Sequence, residues 1–308
     1  MIKRVAIIGL GTMGPGMAAR LARGGIAVTA HDIAPEAIER AGVMLKAAET
    51  VLDALGMPST DGSATVRFVE TIESAVADAD LVIENVPESI AVKADVYRTI
   101  DGLIGQDTIV ASDTSGIPIT KLQAHISNPA RVVGMHWSNP PHIIPMIEVI
   151  GGEQTAPETV KTIRDFIRSL GLLPVLVKKD VPGFVENRVL YALLREVVDL
   201  VERGVIEPED IDTCVSWGIG YKLAVIGPMA LLDMAGMDIY HSVSSFLNED
   251  LADRKDVAPL VARQIADGKL GIKSGEGIYA YTPERIAELQ RERARKLVAI
   301  RRIIEEDG

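Results

Sequence analysis

The chain has 308 residues, of which 47% are hydrophobic and 4% aromatic, enough for one large or two ordinary domains with aliphatic cores. A formal net charge of −11 argues against nucleic acid or an anionic membrane as the main partner. The single cysteine, Cys214, excludes an intramolecular disulfide and fits a reducing compartment. Because the chain enters its first strand without a leader and contains no long apolar run, we expect a soluble, cytoplasmic protein.

A strand, a glycine-rich turn, a helix and a second strand open the chain. They are predicted as a buried strand over Arg4 to Ile8, the turn Gly9, Leu10, Gly11, Thr12, Met13 and Gly14, a helix from about Pro15 to Gly24, and a strand over Ile26 to Ala30. Glycines at these positions let the backbone approach a pyrophosphate, and the helix N-terminus supplies amide donors and partial positive charge. The sequence therefore predicts a dinucleotide site made of the six turn residues.

Asp32 follows the second strand, where an acidic residue selects the cofactor. Its carboxylate is placed to accept hydrogen bonds from the adenosine ribose hydroxyls and to repel a 2′-phosphate. Ile33, Ala34 and Pro35 offer no arginine for such a phosphate, so NAD is predicted rather than NADP. A second role, as cap of the helix that begins near Pro35, is compatible with the first.

Strands and helices then alternate up to about residue 177. The predicted strands are Val66 to Val69, Asp80 to Glu84, Thr108 to Ala111, Arg131 to Trp137, Met146 to Ile150 and Leu173 to Val177. The predicted helices are Pro35 to Leu55, Ile90 to Ile104 and Thr155 to Leu170. This order predicts an α/β fold, a Rossmann-like doubly wound and mostly parallel sheet.

The composition changes at the segment Lys178 to Gly183, beyond which strand signals nearly vanish. We predict a domain boundary here, with residues 1–180 binding the cofactor and residues 181–308 forming an all-helical C-terminal domain. The predicted helices of that domain are Phe184 to Gly204, Pro208 to Trp217, Met229 to Asn248, Val257 to Asp267 and Pro283 to Glu306. Cys214, beside apolar neighbours in one of these helices, is expected in the core.

His136 and Glu148 are the strongest candidates for chemistry. His136 ends a predicted strand, where open α/β sheets bind their ligands. Glu148 lies among apolar strand residues, and a buried carboxylate needs a partner. A two-strand hairpin that turns at Pro140 and Pro141 would return Glu148 beside His136. The pair would then be a histidine general base whose tautomer is held, and whose pKa is raised, by the carboxylate.

The sequence resembles the L-3-hydroxyacyl-CoA dehydrogenase family over nearly its whole length. The motifs that carry the resemblance are GLGTMGPG with Asp32, DLVIENVPE, SDTSG, HWSNP, DVPGFVENR and GIKSGEGIYAY. The resemblance implies that His136 takes a hydroxyl proton while hydride passes to NAD, and that Glu148 orients His136. It also implies that Ser115 and Asn187 hydrogen-bond the reacting oxygen or His136. The family usually has asparagine where this chain has Asp113, which changes the polarity of the pocket.

Other positions admit more than one interpretation. Glu84 and Lys93 either line the nicotinamide pocket or are ordinary charges at a strand end and on a helix surface. Ser115 without the family context would be a turn or cap residue. His142 is a candidate for facing the substrate, and a substrate carboxylate would need a cation, for which the candidates are Arg188, Lys222 and His142. No metal site is predicted.

The substrate is expected to be small. The segment from Ile33 to Asp80 carries nine acidic residues against Arg40, Lys46 and Arg67, and this charge disfavours the phosphates of CoA. The sequence HWSNPPHIIPMIEVI resembles the branch of the family that acts on small carboxylates. This resemblance implies oxidation of a carboxylate-bearing aldehyde, as its hydrate, or of a hydroxy acid, with a pyridine aldehyde of vitamin B6 degradation as the first candidate.

Two alternatives stay open from the sequence. One is a dehydrogenase of short L-3-hydroxyacyl-CoA substrates, and the other is a non-catalytic, crystallin-like protein that binds NAD. The resemblance further implies a homodimer formed through the helical domain.

Overall fold

The computed structural model describes residues 1–60 and 62–306, so Asp61, one of the nine acidic residues counted above, lies outside it. The chain divides into two compact units, Met1–Arg188 and the part from Val189 onward. The boundary predicted near residue 180 lies a few residues before this division and stays a prediction.

The first unit is built on one eight-stranded sheet with the strand order β3-β2-β1-β4-β5-β6-β7-β8. The strands are β1 Arg4–Ile8, β2 Ala27–His31, β3 Val66–Phe68, β4 Leu81–Glu84, β5 Ile109–Ser112, β6 Val132–Trp137, β7 Met146–Gly151 and β8 Leu173–Val177. All neighbouring strands run parallel except β6 and β7, which are antiparallel. The predicted Rossmann-like, mostly parallel fold is confirmed.

Helices cover the sheet. They are α1 Gly14–Arg23, α2 Pro35–Ala54, α3 Ile72–Val76, α4 Ile90–Asp101, α5 Ile119–Gln123 and α6 Pro157–Ser169, with a 3₁₀ turn at Pro129–Arg131. The two short helices α3 and α5 were not predicted, because five residues are too few to show a helical period.

The two faces of the sheet bury two separate aliphatic clusters. In β1, Val5 and Ile7 point into one cluster and Ala6 and Ile8 into the other, as the alternation of a strand requires. The strand order reverses at β1, which pairs with β2 on one side and β4 on the other. A reversal of this kind opens a crevice at the carboxyl ends of the strands, and this is where ligands bind in such folds.

The second unit is helical. Its elements, with α7 beginning in the first unit, are α7 Glu186–Glu202, α8 Pro208–Thr213, a π-helical segment Cys214–Gly220, α9 Tyr221–Leu223, α10 Pro228–Ala235, α11 Met237–Asp250, α12 Pro259–Ala266 and α13 Pro283–Glu306. No single described helix is long and apolar enough to cross a membrane, although the bent pair Pro208–Leu223 and Pro228–Ala235 meets that test by length and composition.

Two predictions for the second unit are wrong. The helix expected over Met229 to Asn248 is broken at Gly236, whose φ of 99° is open to glycine and ends α10. Cys214, expected in the core, is exposed at the start of the π-helical segment. An apolar neighbourhood in sequence does not establish burial when the helix that carries it buries no residue.

Candidate active site

A cavity of about 820 Å³ opens at the carboxyl ends of β1, β2 and β4. Of the predicted cofactor residues, those in contact with it are Gly9, Gly11, Thr12, Met13 and Asp32. The opposite wall is formed by the segment Asn85 to Pro87 and by apolar side chains that include Ile72 and Val92. An apolar slot beside a glycine-rich turn suits the adenine and the pyrophosphate of a dinucleotide.

The glycines of the turn are compatible with a bound dinucleotide. Gly9 has φ +103°, and a Cβ there would lie 2.4 Å from the carbonyl oxygen of Asn85. A Cβ on Gly14 would lie 2.5 Å from the oxygen of Gly9, so this residue lets α1 pack against the turn. Nothing lies within 4 Å of the corresponding point on Gly11, where the backbone faces open space. The turn therefore leaves backbone amides accessible at the start of α1.

Asp32 lies at the rim of this cavity and fixes the turn. Its Oδ2 accepts a hydrogen bond from the amide of Leu10 at 2.7 Å, and its Oδ1 accepts one from the amide of Ala34 at 2.9 Å. Leu10 is itself buried and does not line the cavity. The carboxylate thus ties the glycine turn to the start of α2 and retains lone pairs for a ribose.

Glu84 and Lys93 are completely buried and do not line the cavity. The Lys93 ammonium lies 2.7 Å from Oε1 of Glu84, with exposures of 1% and 0% for the two side chains. The same ammonium lies 3.2 Å from the carbonyl oxygen of Val86, and Glu84 Oε1 accepts the Val86 amide at 2.9 Å. The pair thus holds the segment that does line the cavity.

His136 and Glu148 stand opposite each other in the antiparallel pair β6–β7. The distance from His136 Nδ1 to Glu148 Oε2 is 2.8 Å, and both side chains are buried. The other oxygen of Glu148 accepts the amides of Val185 at 2.9 Å and Glu186 at 3.1 Å. The hairpin therefore brings the two predicted residues together, with the carboxylate held on both oxygens.

Protonation of the pair follows from its surroundings. Burial lowers the pKa of His136, but the hydrogen bond to Glu148 and the negative charges of Glu148 and Glu186 outweigh it, so this pKa is raised. Burial raises the pKa of Glu148, but the hydrogen bonds from His136 and from the Glu186 and Val185 amides outweigh it, so this pKa is lowered. The carboxylate is thus kept ionised beside an imidazole of increased basicity.

Asp113 brings a further carboxyl group to the site. Its Oδ1 accepts the amide of Trp137 at 2.8 Å, just beyond the end of β5. Burial raises the pKa of Asp113 to about 8, against the opposing effect of the Trp137 amide. An asparagine would satisfy the same amide, so the acid is not required by the fold.

Ser115 and Asn187 meet through the backbone. Asn187 Nδ2 donates to the carbonyl oxygen of Ser115 at 2.8 Å. The Ser115 residue is exposed, and its hydroxyl makes no hydrogen bond to any described residue. The structure thus joins these two predicted residues to each other, and it leaves the serine hydroxyl available to a ligand.

The turn that leads into α7 was not recognised as part of the site. Gly183 has φ +77° and Phe184 φ +48°, a conformation that is strained for a residue with a side chain. At this turn the buried Phe184 ring lies with its centroid 5.8 Å from that of His136. The sequence signal was the Pro182-Gly183 dipeptide, which marks a turn but not what the turn holds.

Glu186 is a second residue that sequence reasoning missed. Its Oε2 accepts the hydroxyl of Ser138 at 2.5 Å. One side-chain nitrogen or oxygen atom from each of His136, Glu148 and Glu186 lies within 4.8 Å of the other two. The histidine is therefore surrounded by more negative charge than the predicted pair alone supplies.

The three candidate cations for a substrate carboxylate lie in different parts of the structure. The guanidinium of Arg188 lies 3.4 Å from the carbonyl oxygen of Pro182. His142 lies against Gly16 of α1, where a Cβ on the glycine would be 2.8 Å from His142 Nδ1. Lys222 belongs to the second unit. Of the three candidates, His142 lies beside the helix that begins at the glycine turn.

Comparison with known proteins identifies the family of the chain. Residues 4–181 match the family described as 3-hydroxyacyl-CoA dehydrogenase, NAD binding domain, and residues 183–281 match the one described as 3-hydroxyacyl-CoA dehydrogenase, C-terminal domain. The chain is 36% identical over 286 residues to a probable 3-hydroxybutyryl-CoA dehydrogenase of Bacillus subtilis, covering 91% of this chain and 98% of the relative.

A named relative and a solved structure are much more similar. A Mesorhizobium japonicum protein named 5-formyl-3-hydroxy-2-methylpyridine 4-carboxylate 5-dehydrogenase is 78% identical over 307 residues, with 99% of each chain covered. A crystal structure of an enzyme of that name, described as an NAD+-dependent dismutase, matches with a TM-score of 0.97 and 77% identity over 99% of both chains. The chain belongs to the 3-hydroxyacyl-CoA dehydrogenase family and is an NAD-dependent oxidoreductase.

Proposed function

We propose that the enzyme oxidises 5-formyl-3-hydroxy-2-methylpyridine-4-carboxylate, as its aldehyde hydrate, to the 4,5-dicarboxylate. The observation that carries the proposal is the 78% identity, over 99% of both chains, to a relative named for this reaction. The hydrate has a hydroxyl group and a transferable hydride on one carbon, as a secondary alcohol does. A site suited to hydroxyacyl substrates therefore suits the hydrate as well.

His136 is the proposed general base. Its Nδ1 lies 2.8 Å from the ionised Glu148, so Nδ1 carries the proton and Nε2 presents a lone pair. The raised pKa of His136 makes it a stronger acceptor for the hydroxyl proton of the hydrate. When bound, NAD supplies the hydride acceptor. Glu148 stabilises the imidazolium that results, as the carboxylate of a catalytic triad does.

Ser115 and Asn187 complete the proposed catalytic set. The exposed hydroxyl of Ser115 is available to the reacting oxygen, and Asn187 holds the Ser115 carbonyl at 2.8 Å. For the cofactor we propose the turn Gly9 to Gly14 together with Asp32; Gly9, Gly11, Thr12, Met13 and Asp32 line the cavity, and Leu10 and Gly14 shape the turn. Glu84 and Lys93 act on the cofactor through the segment Asn85 to Pro87 that they hold.

The same residues also allow a second reaction, the reduction of an aldehyde to an alcohol. Once His136 has taken a proton from a hydrate, it is charged to return that proton to a second aldehyde as this is reduced to the alcohol. One aldehyde is then oxidised and one reduced, with no net consumption of cofactor. This balance is what the word dismutase, used for the similar crystal structure, describes. Neither direction requires a cysteine nucleophile.

The test measures conversion of the pyridine aldehyde to the dicarboxylate and the alcohol, NADH formation with gulonate or carnitine, and NADH consumption with acetoacetyl-CoA. We expect turnover of the aldehyde, and in the presence of catalytic NAD we expect equal amounts of the dicarboxylate and the alcohol. Turnover of the CoA substrate alone would favour the hydroxyacyl-CoA alternative, against which the acidic segment from Ile33 to Asp80 speaks. Full activity in a His136→Ala variant would rule out His136 as the general base.

We also propose a homodimer formed through the helical unit. Helices α7, α10 and α11 have no buried residue. Beyond residue 188, the buried hydrophobic side chains among those described are Ile211, Ala258 and Val298. A unit of this size normally buries well over half of its surface, so its apolar side chains require a partner surface. Sedimentation should give twice the chain mass, and Phe246→Glu, at a site 61% exposed, should shift it toward the monomer.

A cytoplasmic location stays a prediction of the sequence. Subcellular fractionation of cells that express the enzyme tests this prediction, and we expect the enzyme in the fraction that contains other cytoplasmic dehydrogenases.

A further inference from the structure

A closed ring of hydrogen bonds and ion pairs joins the ends of β4 and β5. Lys93 lies 2.7 Å from Glu84 Oε1 and 3.5 Å from Glu88 Oε2. Ser112 donates its hydroxyl to Glu84 Oε2 at 2.7 Å and accepts the amide of Thr114 at 3.2 Å. The ring closes where the Thr114 hydroxyl donates to Glu88 Oε1 at 2.6 Å.

The Glu88 carboxylate gathers the Ser115 turn. Besides the Thr114 hydroxyl, its Oε1 accepts the amides of Ser115 at 3.1 Å and Gly116 at 3.0 Å. The Thr114 hydroxyl in turn accepts the amides of Gly116 at 3.4 Å and Ile117 at 3.0 Å. A threonine and a carboxylate together thus satisfy the amides of the whole turn.

Ser115 is consequently held on both sides of its backbone. Glu88 accepts its amide, and Asn187 donates to its carbonyl oxygen at 2.8 Å. The hydroxyl is the part of the residue that remains uncommitted among the described residues. Thr114, in contrast, is completely buried and cannot touch a ligand itself.

We propose that Thr114 and Glu88 are positioning residues, which fix the Ser115 backbone so that the serine hydroxyl meets the reacting oxygen. The inference rests on the proposed role of Ser115. The buried Lys93–Glu84 pair anchors both residues, because loss of either partner would leave an uncompensated buried charge. Since this pair also holds Val86 at the cavity wall, the wall and the serine turn form one connected unit.

The test compares Thr114→Val, which has nearly the same shape but no hydroxyl, with Thr114→Ser, which keeps the hydroxyl. The matched control is Thr159→Val, a buried threonine that bonds only the Ala130 carbonyl oxygen. For each variant we would measure kcat and KM for the aldehyde, the Kd for NADH by fluorescence, and Tm. Each substitution is repeated in a Ser115→Ala background.

We expect Thr114→Val to lower kcat at least tenfold, with the Kd for NADH within threefold of the parent. Thr114→Ser should retain kcat within threefold, and Thr159→Val should change Tm alone. In the Ser115→Ala background, Thr114→Val should cost less than threefold, because no hydroxyl remains to be positioned. Glu88→Gln should lower kcat in the same sense, and its effect should not multiply with that of Thr114→Val.

Three results would overturn the inference: an unchanged kcat in Thr114→Val, an equal loss with and without the serine hydroxyl, or a loss explained by weaker NADH binding. A different result marks failure of the proposed function. If Ser115→Ala and His136→Ala both keep full activity, then the assigned chemistry is wrong, whatever Thr114 does.

Discussion

His136 and Glu148 are direct partners across β6 and β7, and the oxygen of Glu148 that does not face the imidazole accepts two backbone amides. Both oxygens of this carboxylate therefore act as hydrogen-bond acceptors. Only an ionised carboxylate accepts on both oxygens, whereas an amide presents a donor on one side. The site is thus built for a charged residue at position 148.

Glu148→Gln is expected to lower kcat about 10- to 100-fold, within the range that general base catalysis contributes. The amide must direct its NH₂ either at the imidazole or at the amides of Val185 and Glu186. Loss of the negative charge also lowers the pKa of His136, so the acidic limb of kcat/KM should move to lower pH. A pH profile of kcat/KM checks both effects.

The control for this variant is Glu158→Gln, an exposed glutamate in the first turn of α6. It removes the same charge without touching the site and should leave the profile in place. An acidic limb that stays fixed in Glu148→Gln would mean that the limb does not report on His136.

Asp113→Asn is expected to change how stability depends on pH. The folded state raises the pKa of Asp113 from 3.8 to about 8, so between these values the folded chain holds a proton that the unfolded chain loses. Stability due to this group is complete below pH 3.8 and is lost as the pH rises through about 8. Asparagine still accepts the Trp137 amide and has no charge to bury.

We therefore expect Asp113→Asn to exceed the parent in Tm at pH 9, by roughly 2–4 °C per kcal/mol relieved, with a smaller difference at pH 6. Calorimetry at the two pH values measures this. If the difference in Tm between the two proteins were the same at both pH values, Asp113 would not titrate between pH 6 and pH 9.

The sheet and the histidine pair were accessible from the sequence for physical reasons. Buried parallel strands are short β-branched runs, so the predicted strand Arg4 to Ile8 coincides with β1. A lone carboxylate in such a run must have a partner, and that requirement brought Glu148 to His136.

The remaining parts of the site depend on contacts that a linear pattern does not encode. A charge at a strand end looks the same whether it meets a cofactor or a lysine on the following helix, so the burial of Glu84 with Lys93 was not predictable. The role of Glu88 was not predictable either, because its side chain is partly exposed although one of its oxygens accepts the amide of Ser115. The break at Gly236 is similar, because a glycine within a helical pattern is often tolerated.

Asp32→Ser is expected to weaken the preference for NAD over NADP at least about tenfold, since the repulsion of a 2′-phosphate by a carboxylate at the cavity rim is removed. The measurement is the ratio of kcat/KM for the two cofactors. Tm should also fall, because the amides of Leu10 and Ala34 lose their acceptor.

Glu36→Gln is the control for cofactor selection, because it removes an exposed negative charge from the first turn of α2 and leaves Asp32 intact. Its cofactor ratio should match the parent's. A ratio that falls equally in both variants would point to the general negative field of this segment rather than to Asp32.

Gly16→Ala tests the contact between α1 and the connection from β6 to β7. A Cβ at Gly16 would lie 2.8 Å from His142 Nδ1 and 2.9 Å from Pro141 Cγ, so the loop must move. Gly42→Ala in α2 is the matched control, because nothing lies within 4 Å of its Cβ and alanine favours a helix by about 0.5–1 kcal/mol. We expect Tm to rise in Gly42→Ala and to fall in Gly16→Ala, with KM for the aldehyde raised several-fold in the latter alone. Since the displaced loop leads directly from the strand of His136, an unchanged KM together with a lower Tm would show that the loop supports the fold without shaping the substrate pocket.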